Sequence, residues 1–567
     1  MSGHWLAWFP RLALLVFLTP ILVGLLGTWL PAFGWFPALG QRQLSTQPWL
    51  DLLAYPGFGT ALRHSLVTGL GASILALVIT FLILAAFYPS RAFQRLERLL
   101  APILSVPHAA FAIGVGFLIT PSGWLFRLSE SLTGWPARPL NWLTYQDPWG
   151  ISLMAVLTLK ETPFLLFMAL ASLPALKVRQ TLWLGTSLGY GRTRIWLLLI
   201  APPLFKRLML PFFAVIAYGL SVVDVALLAG PTAPPTLAVM VNRLFNAPDL
   251  LLRLPGAAGA SLLLLVTLLC LALVWFLSRL SRLLLPWLLN GQRWSNSGLL
   301  RLAGGVSLAL GLFTYLSALL TLVLWSFTGQ WRFPAPWPTE WSLLAWQRGL
   351  GRMSEALWLT FSTGMVSALV ALVLVLGALE NEVRLRAQKP GFNSQRLLWL
   401  LYLPLLIPQL AFLFGVQVSL IWLGLDGRWW VLVWSHLIFV LPYCFLTLSG
   451  PYRAFDERYT WLGLSLSQSP WKTWWRVKLA MLWRPIGYSL ATGFAVSVAQ
   501  YLPTLFIGGG RFATITTEAV SLASGSDRRI TAVYALMQQL LPLLVFLLAL
   551  LLPAWRYRKH QELSHYQ

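Results

Sequence analysis

Apolar residues in this chain fall in long runs rather than in the one-faced or alternating patterns of a water-soluble fold. A helix needs about 20 mostly apolar residues to cross a bilayer. Twelve stretches meet that test: 12–33, 65–88, 99–120, 151–173, 208–229, 257–278, 302–326, 357–379, 397–424, 430–449, 486–507 and 531–554. The polar breaks between them are unequal. Those after the fourth and tenth runs are long and basic, and both carry the phrase W-L-G-x-S-L, at 183–188 and again 278 positions on at 461–466. At the same offset Trp196 falls on Trp474, Leu199 on Val477, Lys206 on Arg484, Gly230 on Gly508 and Thr236 on Thr514. Similarity at a fixed offset signals internal duplication. The pattern therefore predicts an all-α polytopic membrane protein in two parallel six-helix halves, 1–280 and 301–567, joined by a polar linker at 281–300. Parallel halves are related by an axis along the membrane normal, and a solute path runs naturally between them.

Composition agrees. Of 567 residues, 58% are hydrophobic and 10% charged, against about 25% charged in a soluble domain, and the mean hydropathy is +0.72. The net charge of +24 does not point to nucleic acid, because Lys and Arg gather in cytoplasmic loops of polytopic proteins. Loops on the N-terminal side hold about twice as many as those on the other, which predicts cytoplasmic N- and C-termini. The first run follows Arg11 and no small-residue cleavage site succeeds it, so it reads as an uncleaved signal-anchor. Trp- and Pro-rich segments such as "SGWLFRLSESLTGWPARPLNWLTYQDPWG" and "TGQWRFPAPWPTEWSLLAWQRG" are expected to anchor the interface. Two cysteines, Cys270 and Cys444, exclude a disulfide framework. No GxxxxGK[ST] sequence occurs, so ATP hydrolysis by a P-loop is excluded.

The repeated loops are too polar to span. Residues 181–196 and 459–475 each predict a short helix with an apolar ridge, Leu184 and Leu188 in one and Leu462 and Leu466 in the other, beside Ser187 and Ser465. Gly189, Tyr190 and Gly191 end the first, and Pro470 interrupts the second. A surface helix present once per half suits a partner with two equivalent sites; a loop tucked under the bilayer is the alternative.

These loops resemble the cytoplasmic loop of the inner-membrane permeases of ABC importers, written E-A-A, three residues, G, nine residues, I-x-L-P. Gly189 takes the glycine place, Leu199 the Ile and Pro202 the Pro; in the second copy Ser467, Val477, Leu479 and Ala480 stand at the Gly, Ile, Leu and Pro places. The E-A-A places hold Trp183, Leu184 and Gly185, and Trp461, Leu462 and Gly463, so the family's Glu is absent from both. The resemblance implies a type I importer permease in fused form. It is most similar to the permeases of thiamine importers, with ferric-iron permeases of similar build as an alternative. It further implies a bacterial inner-membrane subunit with no enzymatic activity or cofactor of its own. Two copies of an ATPase subunit, which hydrolyse ATP with Mg, would dock on these loop residues together with Arg192, and a periplasmic binding protein would dock on the opposite face.

Charged groups inside the runs are expensive, about 2.5–3.5 kcal/mol each on insertion scales. Lys160, Glu161, Asp224, His436 and Gln500 are the candidate path residues, with Gln500 aligned on Val222. Neighbours on a helix do not face each other, so Lys160 is expected to pair away from Glu161, with Asp224 as one candidate. Helix–helix pairing and path lining both remain open for these groups. A secondary transporter of the major-facilitator kind is a competitor, but "YPSRAFQRLERLL" after the second run lacks its glycine–aspartate pattern. A membrane enzyme needs clustered His and acids, and the 6 His and 17 acids are scattered.

Overall fold

The computed structural model describes residues 3–90, 103–288, 297–388, 403–525 and 527–564, with Phe93, Leu96, Glu97, Leu100 and Gly291. Arg91, Arg95, Arg98, Arg293, Lys389 and Arg396, counted among the basic loop positions, lie outside them, as do 289, 290 and 292–296 of the expected 281–300 linker; 281–288 and 297–300 are helical and extend the flanking helices instead. The described chain is helical, with two isolated antiparallel bridges. Backbone polar groups at membrane depth find partners only within helices or closed barrels.

The first part of the chain forms α1 (Trp8–Ala32), α2 (Phe58–Phe87), α3 (His108–Ile119), α4 (Trp124–Thr133), α5 (Ile151–Ser172), α6 (Val178–Ser187), α7 (Ala201–Ser221), α8 (Asp224–Ala229), α9 (Leu237–Phe245) and α10 (Arg253–Leu288). The second forms α11 (Ser297–Ser326), α12 (Leu344–Gln388), α13 (Leu410–Trp422), α14 (Trp429–Arg453), α15 (Arg458–Ser467), α16 (Trp483–Val498), α17 (Leu502–Gly508), α18 (Ile515–Ala523) and α19 (Arg528–Ser564). Among the described residues α4, like the short helix Gln47–Ala54, lacks a counterpart. Among the described residues ten helices are long and apolar enough to cross a membrane, eleven if one bent pair counts as a span. The run expected at 397–424 gives only the 13-residue α13 as a long helix, and 397–402 lie outside the described residues.

Two expected spans are broken. The run at 208–229 stops at Ser221, passes through Val222 and Val223, and resumes as α8. The run at 486–507 stops at Val498 and resumes at Leu502 with a 62° bend. The breaks fall at the same place in the repeat, and run length could not show them because each run stays apolar on average through its break. The short helix that follows is tied in the same way in both copies. Ser65 Oγ on α2 accepts from Leu237 N, and Thr360 Oγ1 on α12 accepts from Ile515 N, each at 2.9 Å.

The two sets of helices interlock. α1 packs on α13, and α11 packs on α2 and α3. The α1–α13 crossing is a contact of small residues: a Cβ on Gly27 would lie 2.9 Å from Gly415 Cα. Small residues let backbones meet where apolar side chains gain nothing over lipid. A Cβ on Gly114 of α3 would likewise lie 2.9 Å from Ala318 O of α11. The opening helix of each half thus lies against the third of the other.

At the end of the bundle away from α6 and α15, Arg127 of α4 donates to the carbonyls of Ser122, Arg332 and Ala335 at 2.9–3.2 Å and of Trp331 at 3.3 Å. Trp124, Trp325 and Trp331 are buried there. These tryptophans are packed by the fold rather than acting as belt anchors, whereas Trp142, Trp149 and Trp341 are exposed.

Candidate functional site: two surface helices and a buried acidic cluster

The repeated phrase folds as expected into two short helices, α6 and α15. Trp183 is 70% exposed and Trp461 76%, and Leu184, Leu188, Leu462 and Leu466 are exposed beside them. The glycine of each phrase has a physical reason. A Cβ on Gly185 would lie 2.6 Å from Ile195 Cδ1, and one on Gly463 would lie 2.9 Å from Thr473 Cγ2. Each helix rests, at its glycine, on the residue ten places on. α6 ends where Gly189 takes φ +81°; α15 ends at Gln468, φ +49°, just before Pro470. Each loop then makes one π-helical turn, Trp196–Ile200 and Trp474–Lys478. Such turns are rare and gather at functional sites. Ser187 and Ser465 turn their hydroxyls back to the carbonyls of Leu184 and Leu462, and Ser467 Oγ meets Thr473 Oγ1 at 2.6 Å. Pro202 lies in the first turn of α7.

The anchors of the two loops differ. In the first, Arg192 donates through Nε to Ala85 O at 2.8 Å, and through its other arm to Tyr88 O, at the end of α2. In the second, Lys478 is 1% exposed and lies 3.1 Å from Glu380 and 2.7 Å from Glu457. Tyr452 donates to Glu380 at 2.7 Å, and Trp474 donates to Tyr452 at 3.0 Å. The sequence reading missed Glu380, Tyr452, Glu457 and Lys478. The available signal was Glu380 and Glu382, two acids closing an apolar run on an otherwise basic face.

The charged groups inside the bundle are sorted differently from expectation. Lys160 does not pair with Asp224. Its ammonium donates to Ile103 O at 3.2 Å and Tyr315 Oη at 3.1 Å. Glu161, on the next face of α5, lies 3.1 Å from His108 Nε2, and the His108 ring packs on Tyr218 with centroids 4.9 Å apart. Asp224, at the start of α8, lies within electrostatic reach of His108, Tyr218 and Tyr501; Tyr443 is in reach of Glu161. His108, Tyr218, Asp224, Tyr443 and Tyr501 are half-buried amid buried neighbours. The first three belong to the first half and the two tyrosines to the second. His436 is elsewhere: it is buried, 2.7 Å from Ser497 Oγ and 3.0 Å from Thr504 Oγ1. Gln500 is buried in the break between α16 and α17, where its carbonyl accepts from Thr504 Oγ1 at 3.3 Å.

No family model matches the chain. It is 34% identical over 512 residues, 90% of its length and 91% of the relative's, to the inner membrane ABC transporter permease protein YnjC of Escherichia coli strain K12. It is 26% identical to the thiamine transport system permease protein ThiP of the same strain, over 84% of this chain and 85% of that one. To the ThiP of Salmonella typhimurium strain LT2 it is 24% identical, over 78% and 80%.

Proposed function

The chain belongs to the inner-membrane permeases of ABC transporters, and from that membership we propose that it forms the import path for a small organic cation of the thiamine kind. A periplasmic binding protein delivers the solute, and two copies of a separate ATPase subunit, using ATP and Mg, grip α6 and α15. The observation that carries the docking reading is the matched pair: two helices of the same phrase, each with an exposed Trp and leucine ridge, each seated on its own glycine. In this reading both loops and both termini face the cytoplasm. The missing Glu is replaced by an apolar contact through Trp183 and Trp461. ATP-driven approach of the two ATPases moves the loops together and exchanges inward for outward access, each state favoured by different partners.

The cation reading rests on the cluster. Two carboxylates, Glu161 and Asp224, stand among tyrosine rings, and a cation gains from both. Lys160, whose charge would oppose a cation, is turned to Ile103 and Tyr315. Two of the relatives named above are thiamine permeases.

The experiment is ATP-dependent uptake by proteoliposomes holding the chain, its ATPase and its binding protein. Labelled thiamine is expected to accumulate, ferric ion is not, and Asp224→Asn is expected to slow uptake about tenfold or more, as the loss of ~1.4 kcal/mol implies. The paired change Trp183→Glu with Trp461→Glu is expected to abolish ATPase co-purification. Retention of the ATPase by that pair would remove the docking reading; accumulation of ferric ion but not thiamine would replace the cation.

A further inference from the structure

A groove of about 830 Å³ opens on the side of the second half, at the end of the bundle that carries α6 and α15. It has no partner element among the described residues. One wall is α12, where Leu369, Leu372, Val373 and Leu376 face it and Val373 is exposed. Phe9 of α1 and Ile486 of α16 close the same apolar stretch. Toward the end of α12 the lining changes. Trp5, Trp471 and Trp475 form a rim, with Trp471 stacked on Trp474 and Trp475 at 5.3 and 6.2 Å and set edge-on to Trp5 at 6.5 Å. Beyond the rim stand Arg384 and Arg476.

The gradient along the groove has the dimensions of one lipid in one leaflet. Leu369 to Gly377 is about 12 Å of helix, close to the half-thickness of a ~30 Å hydrocarbon core. Tryptophans follow, at the level where such rings gather. The cations come last. The groove's acid, Glu380, is already met by Lys478, Arg384 and Tyr452. Among the described residues no carboxylate pairs with Arg476, which is exposed. The head end of the groove therefore carries excess positive charge, and its body is apolar.

We infer that this groove holds one phospholipid of the inner leaflet, bound by its acyl chain along α12 and by its anionic headgroup at Arg476 and Arg384. The choice of leaflet rests on the cytoplasmic placement of this end; the binding itself does not. Among the described residues the first half lacks the groups that line this rim and head end. At the offset of the repeated loop Trp471 becomes Thr193, Trp475 becomes Leu197 and Arg476 becomes Leu198. The lipid would sit against the π-helical turn of the second docking loop only, so it braces one loop and not the other.

Native mass spectrometry of the full chain, released from nanodiscs of mixed phosphatidylglycerol and phosphatidylethanolamine, tests this. One phosphatidylglycerol is expected to stay bound in preference to phosphatidylethanolamine. Arg476→Gln is expected to weaken that retention about fivefold, the share of one basic group at a membrane surface, and Val373→Trp to remove both lipids by filling the groove. Soluble glycerol 3-phosphate is expected not to compete. Equal retention of the two lipids, unchanged retention in Arg476→Gln, or displacement by glycerol 3-phosphate would each overturn the proposal. Arg384→Gln is secondary because it also loosens Glu380. Orientation is read separately by labelling a terminal cysteine from either side, so its failure moves the leaflet and leaves the lipid.

Discussion

The two surface loops share a phrase, a glycine contact and a π-helical turn, yet they are bolted to the bundle by different chemistry. The first hangs from backbone carbonyls through Arg192. At the place of Lys478 it has Ile200, which is buried. The second is held by an ion network around Lys478. The shape presented outward is common to both, and the divergence lies underneath. A docking surface for two like partners constrains what faces the partner, while the anchor needs only to be satisfied within each half.

The largest expected effect separates the anchors. Lys478→Met leaves Glu380 and Glu457 without their shared cation, which costs about 3–5 kcal/mol for a broken buried pair. The matched change Ile200→Met swaps one apolar side chain for another and costs under about 1.5 kcal/mol. Thermal unfolding of the purified chain in one detergent measures both, and equal losses would erase the contrast. Next comes Arg192→Met, which strips the charged hydrogen bonds to the carbonyls of Ala85 and Tyr88 at a cost of about 1.5–3 kcal/mol. Its measurable sign is faster proteolysis in the first loop with the second unchanged.

The glycine contacts predict equality instead. Gly185→Val and Gly463→Val each force a side chain into Ile195 or Thr473, at about 1–3 kcal/mol. Each is expected to reduce ATPase co-purification to a similar degree. A smaller contrast lies in the indoles: Trp474 donates to Tyr452, whereas the buried N–H of Trp196 has no hydrogen-bond partner among the described residues. Trp474→Phe is therefore expected to cost about 1 kcal/mol more than Trp196→Phe, read again by unfolding.

The smallest effect is at the far end. Asp147 accepts from Trp149 N, Ile151 N and Ser152 N before α5, while Arg428, just before α14, makes no side-chain cap. Burial works to raise the Asp147 carboxyl, but the hydrogen bonds from Ser152, Ile151 and Trp149 outweigh it and hold it below the usual carboxylate range. Its folded value is lowered, so its stabilisation is complete above about pH 4 and fades as the pH falls through the folded value. Acid is expected to loosen the start of α5 before that of α14 in hydrogen exchange, and Asp147→Asn to remove the difference.

Much of the architecture was legible in the sequence. Apolar run length gave the spans, and the 278-residue offset gave the two loops, because both depend on local composition and on letters repeated outright. The breaks at Val222 and Gln500 were not legible, since each run stays apolar on average across them and the bend is a matter of backbone. Nor was the interlock of α1 with α13, which rests on glycines that run patterns ignore. For the charged groups, the rule that helix neighbours diverge correctly separated Lys160 from Glu161. Their partners, Tyr315 and His108, come from other helices and needed the fold. Nothing near Lys478 in the sequence marks it as an anchor, because its acid, Glu380, is 98 positions away.

The central claim is that α6 and α15 are two equivalent grips for two ATPase subunits. Both native cysteines are buried, so a cysteine placed at Trp183 or at Trp461 is the accessible one. Crosslinking each single variant to the ATPase in membranes, with and without ATP, is the direct measurement. Both positions are expected to crosslink to the ATPase, and the double variant to capture two copies per chain. Crosslinking at only one position, or at neither while uptake persists, would contradict the account.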